Sequence, residues 1–436
     1  MGKMESLKNC TLSGIAVEDY TSDGLGVAHY EGRAVFVAGA ARGDVCDLKI
    51  VKDTGGVLYG IIESLTEPSE HRASPGCPVY GPCGGCAFRH VTYEEELRAK
   101  LGRVSQTLRR IGGVELPVEE IIGAPSRDGW RNKASFPVEW QGKKPVTGFY
   151  RRRSHDICET DSCPMCTAEQ NGAAAVLRAW LLQTGRRDVR HLFVRQGEGG
   201  VQVCVVSTAK PGPEAATLAG MLKEKIPTLS GVLWDRHHGR GNVILSGNIK
   251  TIWGQSRLKD RLCGLDVSLS PMSFYQIHKT QAEKLYACAM EFAGGFSEGA
   301  DLYCGTGTLT LMLARRGGHV TGVEIVPEAV RDAREAAERG GVTNADFICA
   351  DAADPGVGLS PDLVMVDPPR KGLEGAAVKA VLDMAPQKIV YISCDPATLA
   401  RDAGLLRGGG YEVRRLKAFD LFPGTAHVEC VALLTK

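Results

Sequence analysis

The sequence has 436 residues, of which 43% are hydrophobic and 24% are charged, with a net charge of +1. One hydrophobic core rarely organises so many residues, so we expect two or three globular domains and exclude a disordered or fibrous chain. The near balance of charge means that a nucleic-acid partner would be bound by local patches. Neither a signal peptide nor an apolar run long enough for a membrane span is recognisable, which predicts a cytosolic protein.

Residues 1–66 are expected to form a small β-barrel. Short alternating strands such as Arg33–Val37 and Val45–Val51 are separated by glycine-rich turns, and no helical period is present. This pattern is typical of barrels that bind oligonucleotides. Acidic residues outnumber basic ones in this segment, however, so a plain spacer domain is an alternative interpretation.

Residues 67–270 are expected to form a central β-rich domain. Leu97, Leu101, Val104 and Leu108 predict a helix over 93–111, which could pack on the C-terminal domain. Strands and turns dominate from residue 121 onwards, with one further helix at 168–183.

From residue 271 to 436 buried strands alternate with amphipathic helices. This order predicts an α/β domain with a parallel, doubly wound, Rossmann-like sheet. The predicted strands are Ala300–Tyr303, His319–Val323, Asp346–Ile348, Leu363–Val366 and Lys388–Ile392.

The turn after the first of these strands has the composition of a cofactor loop. Gly305 and Gly307 precede the helix that begins near Thr308, and glycine lets the backbone approach a ligand there. Glu324 ends the second strand and could hold two ribose hydroxyls, while Asp351 follows the third and suits an adenine amine. A third glycine for a pyrophosphate is missing, which favours S-adenosylmethionine over a dinucleotide.

Two further strand ends carry reactive side chains. Asp367, followed by two prolines, ends the fourth strand, and Cys394 ends the fifth. Both should face the cofactor, because ligands bind at the carboxyl ends of parallel strands. Methylation of carbon 5 of a pyrimidine requires a thiolate that adds to carbon 6 and a base for the proton on carbon 5, and Glu429 is the best candidate for that base. From spacing alone, Cys394 could equally be a buried structural cysteine; as a nucleophile it needs a pocket that favours the thiolate.

The RNA (uracil-5-)-methyltransferases resemble this chain in four segments, in the same order: DLYCGTGTL, VDPPRKGL, SCDPATLARD and HVEC. The resemblance implies Cys394 as nucleophile and Glu429 as base. Arg370 stands where RNA cytosine-5 methyltransferases have a second cysteine, which favours uridine. The N-terminal segment resembles a TRAM domain, an RNA-binding module. The resemblance also implies contacts to S-adenosylmethionine from Gln276, Tyr303, Thr308, Glu324, Asp351 and Asp367.

Six of the 15 cysteines form two clusters, with members Cys77, Cys83, Cys86, Cys158, Cys163 and Cys166. Four thiolates could hold a [4Fe–4S] cluster or a zinc ion. Two Cys-x2-Cys spacings support zinc but lie far apart in the chain. The resemblance, in its ribosomal-RNA branch, implies a [4Fe–4S] cluster held by Cys77, Cys83, Cys86 and Cys163. Replacement of Cys163 by Cys158 or Cys166 as the fourth ligand stays open.

A basic, aromatic stretch covers residues 127–153. It has eight Lys and Arg residues against two acids, interleaved with Trp, Phe and Tyr residues, as in proteins that bind single-stranded RNA. A solvated hairpin with core aromatics is the alternative for each single residue.

The sequence as a whole favours an enzyme that makes 5-methyluridine in RNA, with 23S ribosomal RNA as the substrate. Transfer RNA is the second candidate, and the resemblance implies that simpler transfer-RNA members lack both the barrel and the cysteine cluster. An iron–sulfur RNA-binding protein without catalysis is the alternative from another class. No obligate protein partner is evident.

Overall fold

The structure is a computed structural model that describes residues 6–239, 241, 243–354 and 358–436. Its first unit is a closed barrel with the strand order β1-β2-β3-β5-β4. Alternate side chains point inward, so that residues such as Val35, Leu48 and Leu58 form a separate apolar core. The five strands are β1 (Thr11–Tyr20), β2 (Gly26–Tyr30), β3 (Arg33–Val37), β4 (Val45–Asp53) and β5 (Val57–Glu67).

A long helix follows the cysteine-containing loop. Helix α1 (Tyr93–Thr107) starts at Thr92, whose side chain accepts a hydrogen bond from the Glu95 backbone, and it ends in a π-helical turn, Leu108–Gly112. Val104 and Leu108 enter the core of the C-terminal domain, as the sequence suggested for this helix. A Cβ on Gly112 would lie 2.7 Å from the Ala400 carbonyl oxygen, so glycine permits this close contact.

The central region is a seven-stranded sheet with the order β13-β12-β11-β10-β7-β8-β9, and two helices pack on it. The second of these, α3, was not expected from the sequence. The elements of this region are β6 (Ile121–Ile122), β7 (Lys133–Gln141), β8 (Lys144–Tyr150), β9 (Ile157–Glu159), α2 (Ala168–Thr184), β10 (Val189–Gly197), β11 (Gly200–Ser207), α3 (Glu214–Lys225), β12 (Leu229–Arg236), β13 (Ile249–Gly254), β14 (Leu258–Leu262) and β15 (Leu265–Leu269).

The C-terminal domain is the predicted wound α/β sheet, with the order β18-β17-β16-β19-β20-β22-β21-β6. Strands β16 to β20 are parallel, and β22 lies antiparallel between β20 and β21. Its elements are α4 (Lys279–Ala293), β16 (Glu298–Leu302), α5 (Thr308–Ala314), β17 (His319–Glu324), α6 (Pro327–Arg339), β18 (Ala345–Cys349), β19 (Leu363–Val366), α7 (Gly375–Met384), β20 (Lys388–Ser393), α8 (Pro396–Gly408), β21 (Glu412–Phe419) and β22 (Glu429–Thr435).

Part of the range 67–270 joins the C-terminal sheet. Strand β6 pairs with β21, through Ala418 opposite Ile121, and therefore extends the C-terminal sheet and not the central one. Together with α1, this places much of residues 93–122 against the C-terminal domain. None of the helices that the structure describes is long and apolar enough to cross a membrane.

Candidate active site

Three side chains that were singled out in the sequence meet at one edge of the C-terminal sheet. Asp367 directly follows β19, and Cys394 directly follows the adjacent parallel strand β20. Glu429 opens β22, which runs in the opposite direction, and the pairing of Ser393 with Cys430 brings Glu429 beside Cys394. Because β22 runs antiparallel to β20, its first residue, Glu429, adds a carboxyl group to the edge at which the parallel strands end.

The site raises the pKa of each of these groups. Burial raises the pKa of Asp367 to about 7. Burial, and then the charge of Asp367, raise the pKa of Glu429 to about 8. Burial, and then Glu429, raise the pKa of the Cys394 thiol to about 11. The three groups therefore hold protons more tightly than they would in water, and Glu429 titrates near neutral pH as a general base should.

The expectation of a pocket that favours the thiolate is not met by these residues. Two neighbouring carboxyl groups oppose ionisation of Cys394, and the charge of Arg370 is the opposing influence that lowers its pKa. Arg370 also lowers the pKa of Glu429. We did not identify Arg370 as a site residue from the sequence, although its place directly after the two prolines was a usable signal.

The loop after β16 has the backbone geometry of a ligand-binding turn. Tyr303, Gly305 and Gly307 have φ values of +65°, +54° and +82°. A Cβ on Gly307 would lie 2.9 Å from Ala333 and from Phe347, so only glycine fits there. The positive φ of Tyr303 is uncommon for a residue with a side chain and is typical of ligand sites.

Acidic side chains lie at the ends of the next two strands. Glu324 accepts hydrogen bonds from the backbone of Gly305 (3.0 Å) and of Val326 (2.9 Å), which fixes its carboxylate beside the loop. Asp351 is exposed. Burial, and then the charge of Asp351, raise the pKa of Tyr303 to about 12. Glu324 and Asp351 therefore lie on the same side of the sheet as the turn, where a nucleoside would need them.

Gln276 and Thr308 line a second part of this region. They share a pocket with Tyr286, whose hydroxyl accepts a hydrogen bond of 3.3 Å from the Gln276 side chain. The charges of Asp367 and Glu429 act on Tyr286, which links this pocket electrostatically to the reactive edge. Asn132 of the central region donates a hydrogen bond of 2.7 Å to the Gln276 carbonyl oxygen. Tyr286 lies on α4, an amphipathic helix without a motif, so no local signal in the sequence pointed to it.

The cysteine clusters meet in space. Cys77, Cys83, Cys86 and Cys163 line one cavity, together with the positively charged Arg89 and Arg131, whereas neither Cys158 nor Cys166 is part of its lining. The Cys166 thiol donates a hydrogen bond that lowers the pKa of Cys163. Burial raises the pKa of Cys86 to about 12, so a bound metal would be needed to keep that thiol ionised.

A donor set for a single ion is not formed in the described part of the chain: no group of three or more His, Cys, Asp or Glu side chains there is arranged to hold a metal ion. Four cysteines and two arginines nevertheless line one cavity, and the arginines would offset part of the charge of four thiolates. The residues present therefore fit an iron–sulfur cluster in ligand type and number.

The basic, aromatic stretch is largely structural. Trp130 and Phe136 are buried in the central core, so they are not available to stack on bases. Arg127 donates hydrogen bonds to the carbonyl oxygens of Phe88 and Val91. The exposed basic residues are Lys143, Lys144 and the three arginines at 151–153, and Tyr150 is the exposed aromatic residue. Exposed basic and aromatic side chains are therefore adjacent in the chain at 150–153.

Family models match the C-terminal half. Residues 359–436 match the tRNA (uracil-5-)-methyltransferase family, and residues 300–368 match a methyltransferase domain. Whole-chain relatives include RNA methyltransferases described as uncharacterized. One from Halalkalibacterium halodurans is 36% identical over 96% of both chains, and one from Clostridium acetobutylicum is 34% identical over 97% of this chain and 96% of its own.

A solved structure is similar over nearly the same length. It is a tRNA (uracil-54, C5)-methyltransferase from Pyrococcus abyssi in complex with S-adenosyl-L-homocysteine, with a TM-score of 0.78 and 26% identity. The match covers 97% of this chain and 100% of that chain. The similarity therefore extends through the barrel and the central region and is not confined to the wound sheet.

Proposed function

The chain belongs to the RNA (uracil-5-)-methyltransferase family and is an S-adenosylmethionine-dependent RNA methyltransferase, and on this premise we propose that it methylates carbon 5 of a uridine through a covalent enzyme–RNA adduct. An iron–sulfur protein without catalysis is thereby set aside. The observation that carries the proposal is the meeting of Cys394, Glu429 and Asp367 at one sheet edge, beside the cofactor turn.

In the proposed reaction, Cys394 forms a bond from its sulfur to carbon 6 of the uracil ring. The electron pair of the carbon 5–carbon 6 double bond moves towards carbon 5 and the adjacent carbonyl oxygen, which makes carbon 5 nucleophilic. After carbon 5 has been methylated, Glu429 removes the remaining proton from carbon 5. The double bond re-forms, and the carbon–sulfur bond breaks to return the thiolate.

The raised pKa values fit this division of labour. Glu429, with its pKa raised to about 8, is a stronger base than an ordinary carboxylate for taking a carbon-bound proton, and it is still acidic enough to return that proton to water. The neighbouring Arg370 offsets negative charge around Cys394. A proton on Asp367 or on Glu429 removes one of the charges that oppose the thiolate, so the protonation states of the three groups are coupled.

S-adenosylmethionine supplies the methyl group as an electrophile bound to positively charged sulfur. We assign its binding to the turn that contains Tyr303 and Gly305, with Glu324 and Asp351 at the following strand ends. Gln276 and Thr308 line the adjoining pocket, and Asp367 lies between this region and Cys394. The fixed Glu324 carboxylate and the glycine that closes on Ala333 and Phe347 support this assignment.

Substitution of the base tests the mechanism. The variant Glu429→Gln should still add Cys394 to the ring and accept the methyl group at carbon 5, but it cannot remove the proton. We expect the enzyme to stay joined to RNA in a complex that survives denaturation, visible as a shifted band in a gel. With Cys394→Ala as the matched control, no such band should form. Prompt release by Glu429→Gln would show that another group is the base.

We propose 23S ribosomal RNA as the substrate. The support for this proposal is the arrangement of cysteines, which resembles that of the ribosomal-RNA branch of the family. The lack of the barrel and the cysteine cluster in simpler transfer-RNA members does not separate the two substrates, because the transfer-RNA enzyme from Pyrococcus abyssi matches this chain over 97% of its length. That similarity favours transfer RNA as the second candidate. A protein-free 23S fragment and unmodified transfer RNA, methylated side by side, distinguish the two; efficient methylation of transfer RNA alone would refute the ribosomal proposal.

We also propose that Cys77, Cys83, Cys86 and Cys163 hold a [4Fe–4S] cluster. Support comes from their shared cavity and from the two arginines in its wall. The cluster would order the loop that carries three of these cysteines, and an RNA-organising role is consistent with its distance in sequence from the reactive residues. Zinc in stoichiometric amount, in place of iron, would overturn this assignment. The N-terminal barrel is proposed to act as a TRAM-type RNA-binding module.

A further inference from the structure

The sheet holds only the start of the loop that precedes the candidate base, where the Asp420 backbone N–H donates to the Ile122 carbonyl oxygen at 3.0 Å. Residues 420–428 connect β21 to β22 as a hairpin loop, and Phe419 pairs with Glu429 at its base. Residues 421–428 belong to no strand, so ladder hydrogen bonds do not define their path. The loop leads directly into Glu429, which is 6% exposed.

Helix α1 makes side-chain contacts that hold the hairpin loop in place. Tyr93, Glu96, Lys100 and Arg103 are spaced at intervals of three and four residues, so they lie on one face of the helix. Each of them contacts the hairpin loop. Arg103 donates to the Ala426 carbonyl oxygen at 2.8 Å.

The contacts of Lys100 and Glu96 with carboxylate or backbone partners at 2.6–2.7 Å are buried, and that of Tyr93 is partly buried. Lys100 donates hydrogen bonds of 2.7 Å to both Glu96 and Asp420 and a further one of 3.3 Å to the Phe422 carbonyl oxygen. Tyr93 donates to Asp420 at 2.8 Å, and Glu96 accepts a bond of 2.6 Å from the Gly424 backbone. Buried charges of this kind persist because every polar group is paired.

The cysteine-containing loop holds the same segment from the other side. The backbone N–H groups of Ala87 and Phe88, directly after Cys86, both donate to the Gly424 carbonyl oxygen, at 2.8 and 3.0 Å. A Cβ on Gly424 would lie 3.2 Å from the Arg89 side chain, so the loop approaches closely there. The hairpin loop therefore lies between α1 and the loop that contains Cys77, Cys83 and Cys86, with hydrogen bonds from both sides.

We propose that the polar face of α1 positions Glu429 by holding the hairpin loop 420–428 over the reactive edge, with Arg103 as a positioning residue that acts through this loop. The inference rests on the proposed role of Glu429. Arg103 does not face the base directly; it fixes the segment three residues before it. Burial, and then nearby positive charges that include Arg103, lower the pKa of His427, which shows how close Arg103 lies to the end of the loop.

Arg103→Ala tests the inference, because it removes one hydrogen bond and leaves the buried Lys100 contacts in place. The two readouts come from one single-turnover experiment: methyl groups transferred to RNA, and enzyme that stays covalently attached to RNA after denaturation. We expect transfer within about twofold of the wild type and roughly tenfold slower release, the effect of one hydrogen bond from a charged donor. Arg103→Lys, which can still donate, should restore most of the release.

The matched control is Arg98→Ala. Arg98 lies on the same helix, is 54% exposed and pairs with Glu95, with no hydrogen bond to the hairpin loop. The Arg98→Ala variant should release RNA at the rate of the wild-type enzyme. Equal losses of transfer and release in Arg103→Ala would indicate general damage and overturn the inference.

Glu429→Gln separates the two levels of the argument. If it traps RNA while Arg103→Ala releases normally, the positioning role is wrong and the mechanism stands. If Glu429→Gln traps nothing, the proposed function fails, and the positioning role fails with it.

Discussion

The buried charge of Lys100 gives the most demanding test of how the C-terminal domain is held together. Its side chain is 1% exposed, and its partners Glu96 and Asp420 are fully buried. Lys100→Met keeps the apolar stem but removes a charge whose three hydrogen bonds are all made inside the protein. Breaking a buried ion pair from one side costs about 3–5 kcal/mol, because the remaining charge is left uncompensated.

The lower end of that range applies here. Glu96 keeps its bond from Gly424 and an ion pair with Arg127 at 2.8 Å, and Asp420 keeps Tyr93. A loss of about 3 kcal/mol corresponds to roughly 100-fold more frequent opening of the segment. Hydrogen exchange measured by mass spectrometry on peptides from 93–107 and 420–428 reports this opening without assuming two-state unfolding of a multidomain chain.

Two comparisons make the result decisive. Lys379→Met removes the exposed partner of Asp383 in α7 and should change exchange by less than about threefold, because surface pairs contribute little. The double variant Lys100→Met/Asp420→Asn removes one of the stranded charges and should recover part of the loss. If exchange of 420–428 in Lys100→Met stays within threefold of the wild type, the buried triad does not hold the loop.

Three further outcomes follow from the site. Cys394→Ala should abolish methyl transfer but leave the affinity for S-adenosylhomocysteine near normal, measured by calorimetry, because the thiol acts on the base; residual transfer near the wild-type rate would contradict the nucleophile. Release of methylated RNA should rise as the pH passes through about 8, because Glu429 accepts a proton only when ionised and its pKa is raised to about 8 by burial and then by Asp367; a rate that is flat from pH 7 to 9 in rapid-quench experiments would contradict the base. After oxygen-free purification, about four irons per chain are expected, lost in Cys163→Ser and kept in Cys166→Ser; iron retained without Cys163 would identify a different fourth ligand.

The wound sheet could be predicted from the sequence because its strands are continuous apolar runs with polar ends. Leu363–Val366 was predicted with both ends correct, and His319–Glu324 to within one residue. The same feature led to Asp367 and Cys394, since a side chain that ends such a strand has only one edge to occupy. Helix α3 was missed because half of its buried positions are alanine, which gives little contrast with the polar face.

Pairings between distant segments could not be predicted from local patterns. Strand β6 has two residues, and what defines it is β21, some 300 positions later in the chain. Lys100 and Glu96 have the spacing of an ordinary solvated ion pair on a helix. No residue near them in the sequence indicates that Lys100 also pairs with Asp420. The proximity of Arg370 to Cys394 and Glu429 likewise depends on the order of strands and not on spacing.

The charged face of α1 also bears on how the protein is made. Lys100 and Asp420 are 320 residues apart, so the helix leaves the ribosome roughly 15 to 60 s before its partner exists. If this face carried leucines, it would expose an aggregation-prone apolar surface to other nascent chains for all of that time. Tyrosine, glutamate, lysine and arginine stay hydrated while they wait and become buried only when the last strands arrive. On this face, unlike the face that carries Val104 and Leu108, truncated chains that stop before residue 420 should therefore expose little apolar surface to other nascent chains.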